Sequence, residues 1–131
     1  MPNLPTILSS NTSLPPSTTP RTAIFLGGTA GIGKLTLIAL IKLGFECKAY
    51  VIGRKASFPA FQTFAEEMKS VNAKATLVWV EAEVSLLAEA KRVCGMIKER
   101  DMKVDLLFMS TGFAPLGGRR SELPFQCEEN C

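Results

Sequence analysis

A short apolar run, Ala23-Ile24-Phe25-Leu26, breaks into Gly27-Gly28-Thr29-Ala30-Gly31-Ile32-Gly33, and an apolar-periodic segment follows at once. That order reads as a strand, a loop able to cradle a phosphate, and a helix start. A strand turning sharply into a helix needs backbone angles that side chains resist, and Gly27 supplies them. Gly31 carries no Cβ to hold a phosphate away from the main chain. Gly33 lets the new helix pack close to its strand. The first helical turn offers unpaired N–H groups and the positive end of the helix dipole, so loop and helix together form an anion site. A nucleotide cofactor is the leading reading.

The glycine spacing is G-x-x-x-G-x-G, not the commoner G-x-G-x-x-G. A rival reading is the P-loop of a phosphotransferase, because Gly28 to Lys34 satisfies G-x-x-x-x-G-K. Leu35 then stands where Ser or Thr should hold Mg²⁺, and Thr36 comes one place late, a rotation of about 100° on a helix.

The rest of the chain continues the alternation. Thr22 to Leu26 is the first strand. Ile32 to Leu43 is predicted as the first helix, with Ile32, Leu35, Ile38 and Ile41 as its apolar stripe, Leu37 and Leu40 widening it, and Gly44 ending it. Lys48 to Gly53 is the second strand, and Arg54 to Ser57 a turn. A helix with Pro59 in its first turn runs to about Ser70, with Phe58, Phe61, Phe64 and Met68 as core. Ala75 to Ala82 is the third strand, nearly continuously apolar, as a strand covered on both faces should be. Ser85 is the expected N-cap of a helix to about Arg100. Asp105 to Ser110 is the fourth strand. The order β-α-β-α-β-α-β predicts an α/β fold: a doubly wound (Rossmann) parallel sheet with right-handed crossovers, truncated after about four strands. Leu106 to Met109 would then be an apolar edge, which favours pairing or aggregation.

Residues 1–20 hold five prolines among Ser, Thr and Asn and are expected to form a flexible, extended arm. The dinucleotide-binding domain spans 21–118, and 119–131 is an irregular polar tail.

The 131 residues suit one domain, and 47% hydrophobic against 21% charged residues describes a globular chain. The net charge of +3 comes from basic residues scattered along the sequence, which does not suggest a nucleic-acid surface. Histidine is absent, removing the commonest general base and metal ligand. Cys47 and Cys94 fall within apolar-patterned elements and are expected to be buried, inert thiols. Cys127 and Cys131 lie in the tail without the further ligands zinc would need, so no metal is expected. No apolar run is long enough to span a membrane and no secretory signal is evident, so a cytoplasmic location is expected.

The residue after the second strand of such a fold stands beside the adenosine ribose. An acid there selects NAD, whereas an arginine can pair with a 2′-phosphate. Here Arg54 is followed by Lys55, and a guanidinium fork matches a phosphate well. NADP is favoured, with NAD the alternative.

These residues together resemble the N-terminal half of the short-chain dehydrogenase/reductases, and the loop is most similar to that of fungal members. Leu26-Gly27-Gly28-Thr29-Ala30-Gly31-Ile32-Gly33 stands where that family has T-G-x-x-x-G-I-G, with Leu26 replacing the leading Thr. The resemblance implies cofactor roles for Gly27, Gly31, Ile32 and Gly33, and places the Thr29 hydroxyl near the ribose phosphate. Glu83-Val84 stands where the family has Asp-Val, whose carboxylate contacts the adenine amino group. Met109-Ser110-Thr111-Gly112 stands where it has Asn-Asn-Ala-Gly, and only Gly112 matches.

The resemblance also implies hydride transfer between the nicotinamide and a carbonyl or alcohol, with a Tyr-x-x-x-Lys pair as the acid–base group. The one tyrosine is Tyr50, and four positions on stands Arg54, so the pair is absent. The chain is therefore expected to be the cofactor half of an oxidoreductase, inactive alone, meeting a small-molecule substrate only within a longer product. The alternative from another class is a non-catalytic nucleotide-binding protein.

Overall fold

In the computed structural model, which describes residues 1–111, helix α1 (Leu4–Thr12) precedes an alternating series. The series is β1 (Thr22–Leu26), α2 (Gly31–Lys42), β2 (Cys47–Gly53), α3 (Phe58–Val71), β3 (Ala75–Glu81), α4 (Leu87–Arg100) and β4 (Leu106–Met109). All strand pairs are parallel, in the order β3-β2-β1-β4. The chain steps outward from β1 to β3 and then returns to the other side of β1. The doubly wound sheet read from the sequence is therefore the observed one, with its switch point between β1 and β4.

Side-chain alternation along the strands divides the core in two. Ala23, Phe25, Ala49 and Val51 face α2 and α3, where they meet Leu37, Leu40, Ile41, Phe61, Phe64 and Met68. Tyr50, Ile52 and Val80 face the other way, against Val93 and Ile97 of α4. β4 lies at the end of the sheet, and Leu107 and Met109 are 55% and 67% exposed. Among the described residues it is the apolar edge the sequence predicts.

Four local expectations are corrected. Helix α2 buries Gly33, Leu37, Leu40 and Ile41, while Ile32 and Leu35 are 74% and 67% exposed. The helix is apolar nearly all round, so periodicity does not choose its inner face; the close approach at Gly33 does. Ser85 does not cap α4. Its hydroxyl donates to Glu83 Oε1 at 2.9 Å, inside a turn closed by Leu86 N–H donating to the Glu83 carbonyl, and the helix starts only at Leu87 with no side-chain cap.

The segment 4–12 is helical, not extended. The Asn3 side chain accepts from Thr6 N–H at 3.0 Å, and Pro5 sits in the first turn, where a missing N–H leaves no gap in the helix ladder. No residue of α1 is buried, so it lies outside the core. Finally, Cys94 is exposed on α4, whereas Cys47 is buried as expected and its thiol pKa is raised by desolvation. Cys127, Cys131 and the segment 112–131 lie outside the described residues.

The N-terminal ends of the strands are tied by charge. Lys48 Nζ reaches Asp101 at 2.7 Å, and the Tyr50 hydroxyl donates to the same carboxylate. Hydrogen bonds from Lys48 and Tyr50 lower the Asp101 pKa, while burial first and the Asp101 hydrogen bond second raise that of Tyr50.

Asp105 accepts from the main-chain N–H groups of Arg21 and Thr22 at 2.9 and 3.1 Å and pairs with Lys103 at 2.9 Å. Lys103 first, then these two amides, hold its pKa down at about 2. A carboxyl depressed in the folded state stabilises it fully above the unfolded carboxyl's pKa, near 4, and loses that contribution as pH falls toward about 2. Acid melts should therefore steepen between about pH 4 and 2 in the wild type, and Asp105→Asn should flatten that part of the curve. An unchanged acid limb in the variant would show that Asp105 does not tie β1 to β4.

Among the described residues, no helix is long and apolar enough to cross a membrane, and no cluster of His, Cys, Asp and Glu could hold a metal ion.

Candidate functional site

The C-terminal ends of β1, β2, β3 and β4 open onto a cleft of about 580 Å³. It lies at the switch point, where open α/β sheets place their ligands. Its floor is the turn from β1 into α2. Gly27 has φ +88°, the left-handed conformation expected of it in a turn this tight, and Gly31 is left-handed as well, at φ +57°. A Cβ on Gly31 would meet nothing within 4 Å, so the main chain there is open to close approach. A Cβ on Gly33 would lie 2.2 Å from the Gly27 carbonyl oxygen, so only glycine lets α2 begin this close to the loop.

Helix α2 starts at Gly31 with Ala30 as N-cap and no capping side chain. The first-turn amides of an α-helix have no partner within it. Among the described residues no side chain takes them either, and their combined dipole favours an anion. This fits a phosphate group at the loop. Ile32, expected at the cofactor, lies in the first turn of the helix with its side chain exposed and does not line the cleft. The Thr36 hydroxyl donates to the Ile32 carbonyl of its own helix at 2.9 Å, and Leu35 is exposed. Neither residue supplies the Mg²⁺-binding hydroxyl a P-loop needs.

One wall comes from β2 and β3. Arg54 lines the cleft directly after β2, exposed, and among the described residues neither it nor Lys55 has an ion-pair partner. Lys55 opens a short 3₁₀ turn and lines an adjoining groove that Arg54 shares. Glu83 and Val84 line the wall after β3, with the Glu83 carboxylate held by Ser85. The structure thus brings Gly27, Thr29, Arg54, Glu83 and Val84 to one cleft. Gly112 lies outside the described residues.

Two contributors were not legible as site residues. Ser57 lines the cleft beside Arg54, and no spacing signal marks it. Ser110 backs the glycine loop from β4. Its N–H donates to the Leu26 carbonyl at 2.9 Å, and its Oγ lies within 3.5 Å of the Gly27 carbonyl oxygen. The correspondence of Met109 to Gly112 with the family's Asn-Asn-Ala-Gly, matched only at Gly112, pointed to that strand end, but not to the hydroxyl beneath Gly27. Tyr50 is not at the cleft: it is buried on the α4 face of the sheet, bound to Asp101.

No protein-family model matches the chain. It is 37% identical over 98 residues to the NmrA-like family domain-containing oxidoreductase notO of an Aspergillus species, covering 75% of this chain and 30% of that protein. It is 37% identical over 120 residues to an oxidoreductase of Emericella nidulans, covering 91% of this chain and 35% of that one. Among solved structures, a bulky-bulky ketone specific alcohol dehydrogenase from Comamonas testosteroni superposes with a TM-score of 0.65 at 17% identity, over 82% of this chain and 42% of that one. The RhlG/NADP complex of Pseudomonas aeruginosa superposes at 0.55 and 22%, over 76% and 37%.

The chain is similar in sequence to these fungal oxidoreductases, and its fold is that of solved short-chain dehydrogenases. The chain spans about a third of the length of the curated relatives it matches. The match to them is the fungal resemblance expected from the glycine loop.

Proposed function

We propose that this chain is the NADP(H)-binding portion of a short-chain-type oxidoreductase. The observation that carries the proposal is the convergence on one cleft of a glycine loop, a helix start and an arginine across from it, the last two without a capping side chain or an ion-pair partner among the described residues. The pyrophosphate would lie on the amides at the start of α2, close to Gly31. Arg54, with Lys55 behind it, would take the 2′-phosphate through a planar fork. Thr29 offers a hydroxyl between the two. Glu83 and Val84 stand where the adenine would lie, the carboxylate accepting from its amino group. Gly112 keeps its proposed cofactor role on the resemblance alone.

A nicotinamide held there would provide hydride chemistry toward a carbonyl or alcohol. The described residues bind and orient the adenosine half. They include no Tyr-x-x-x-Lys pair, and the buried Tyr50 does not line the cleft, so a proton donor for turnover would have to come from outside them. NADP(H) is favoured over NAD(H) because the position after β2 carries a cation where a carboxylate would serve the ribose hydroxyls. The names of the relatives and the NADP complex among the structural neighbours support the same reading.

Calorimetric titration of the chain with NADP⁺ and NAD⁺ tests this. The expected result is a preference for NADP⁺ of about tenfold or more, one to two charge-assisted hydrogen bonds' worth. Equal affinities would overturn the NADP assignment, and Mg²⁺-dependent ATP binding in place of both would restore the P-loop.

A further inference from the structure

Trp79, the one tryptophan of the chain, stands on β3 opposite Val51 of β2, on the face covered by α2 and α3. Its ring lies 4.9 Å from that of Phe61 and 5.7 Å from that of Phe58, centroid to centroid. Its six-membered ring reaches further, into the hollow beside Gly53. A Cβ on Gly53 would lie 2.5 Å from Trp79 Cη2, 3.0 Å from Cζ3 and 3.3 Å from the Thr29 methyl. The hollow beside Gly53 is thus where a core indole meets two parts of the cleft: Thr29 of the glycine loop and the last residue of β2 before Arg54.

Core packing alone does not call for an indole here. A phenyl ring could also pack against Phe58 and Phe61. The indole Nε1 is buried with no hydrogen-bond partner among the described residues, which disfavours it over a phenyl ring. What the larger ring system adds is its reach to Gly53.

We infer that Trp79 is a positioning residue for cofactor selectivity: its outer ring wedges the Gly53–Arg54 turn against Thr29 and so sets where the Arg54 guanidinium stands relative to the phosphate loop. This rests on the NADP(H) reading of the cleft and adds the part that fixes the spacing between its two phosphate-binding elements.

The test is a double-mutant cycle on the full chain: wild type, Trp79→Phe, Gly53→Ala, and the two combined. Each is titrated calorimetrically with NADP⁺ and with NAD⁺ and melted in parallel. Trp79→Phe should lower the NADP⁺-to-NAD⁺ preference about fivefold or more while NAD⁺ affinity changes little. Gly53→Ala should lower it as well, because its methyl displaces the indole or the turn. The double variant should recover most of the preference, because that methyl fits the space the outer ring vacates.

Variants that melt lower yet keep the wild-type preference would overturn the inference and leave the NADP(H) reading standing. A wild type without preference would overturn that reading and the inference with it. If Trp79→Phe fails to fold, Gly53→Ala decides alone: an unchanged preference overturns the inference, and a lowered one supports it.

Discussion

Gly33→Ala is expected to lower stability by more than about 3 kcal/mol, because its methyl meets backbone and not a side chain that can turn aside. The added Cβ would stand 2.2 Å from the Gly27 carbonyl oxygen, 2.9 Å from its carbonyl carbon and 2.8 Å from Ser110 Oγ. Gly27 cannot yield easily. It holds φ +88° directly after β1, and β1 is paired on both sides, by β2 and β4. The remaining relief is to lever α2 away from the sheet, which opens the core around Leu37, Leu40 and Ile41. A loss of that size, in a domain stable by about 5–15 kcal/mol, lowers the melting temperature by more than about 10 °C.

Circular dichroism melts check this. Gly31→Ala is the control: it faces open space and carries only the cost of φ +57°, about 1–2 kcal/mol. Equal melting temperatures for the Gly33 variant and wild type would refute the close approach of helix and loop.

Arg54→Ala is expected to weaken NADP⁺ binding about 10- to 100-fold, the range for losing one bidentate charge-assisted contact to phosphate, and to leave NAD⁺ binding nearly unchanged. The separation of the two cofactors is the diagnostic part, since a general collapse of the cleft would weaken both. Arg54→Lys should fall between, keeping the charge and losing the fork. The arginine is exposed, so raising the salt concentration should erode the wild-type preference and leave that of the Ala variant flat. Parallel losses for NADP⁺ and NAD⁺ would remove Arg54 from the 2′-phosphate.

The parallel alternation, the turn conformation at Gly27 and the close packing at Gly33 were legible in the sequence because each is local. An apolar run, a φ-positive turn and a helix start are written in adjacent residues, and their repetition fixes the parallel alternation. Local signals misled where two answers shared one pattern. The residues of α2 are apolar on most sides, so Ile32 and Leu35 matched a stripe as well as Leu37 and Leu40 did; a contact at a residue without a side chain, Gly33, turned the helix. Ser85 had the chemistry of a cap but lay in a turn that kept it from the helix. Pro5 read as a breaker, yet a first-turn proline suits a helix, and Asn3 completed the start. What lies entirely outside local reading is long-range: Ser110 beneath Gly27, and Trp79 beside Gly53, meet only after the strands pair.

Ser110 and Gly27 are 83 positions apart. Chains are synthesised from the N-terminus at about 5–20 residues per second, and distant pairings form late because closing long loops carries an entropic cost. A nascent chain that has released β1 through β3 already displays its glycine turn without the strand that backs it. The proposed nucleotide site is then completed only when β4 docks, and a cofactor present during translation would favour that docking by binding its product.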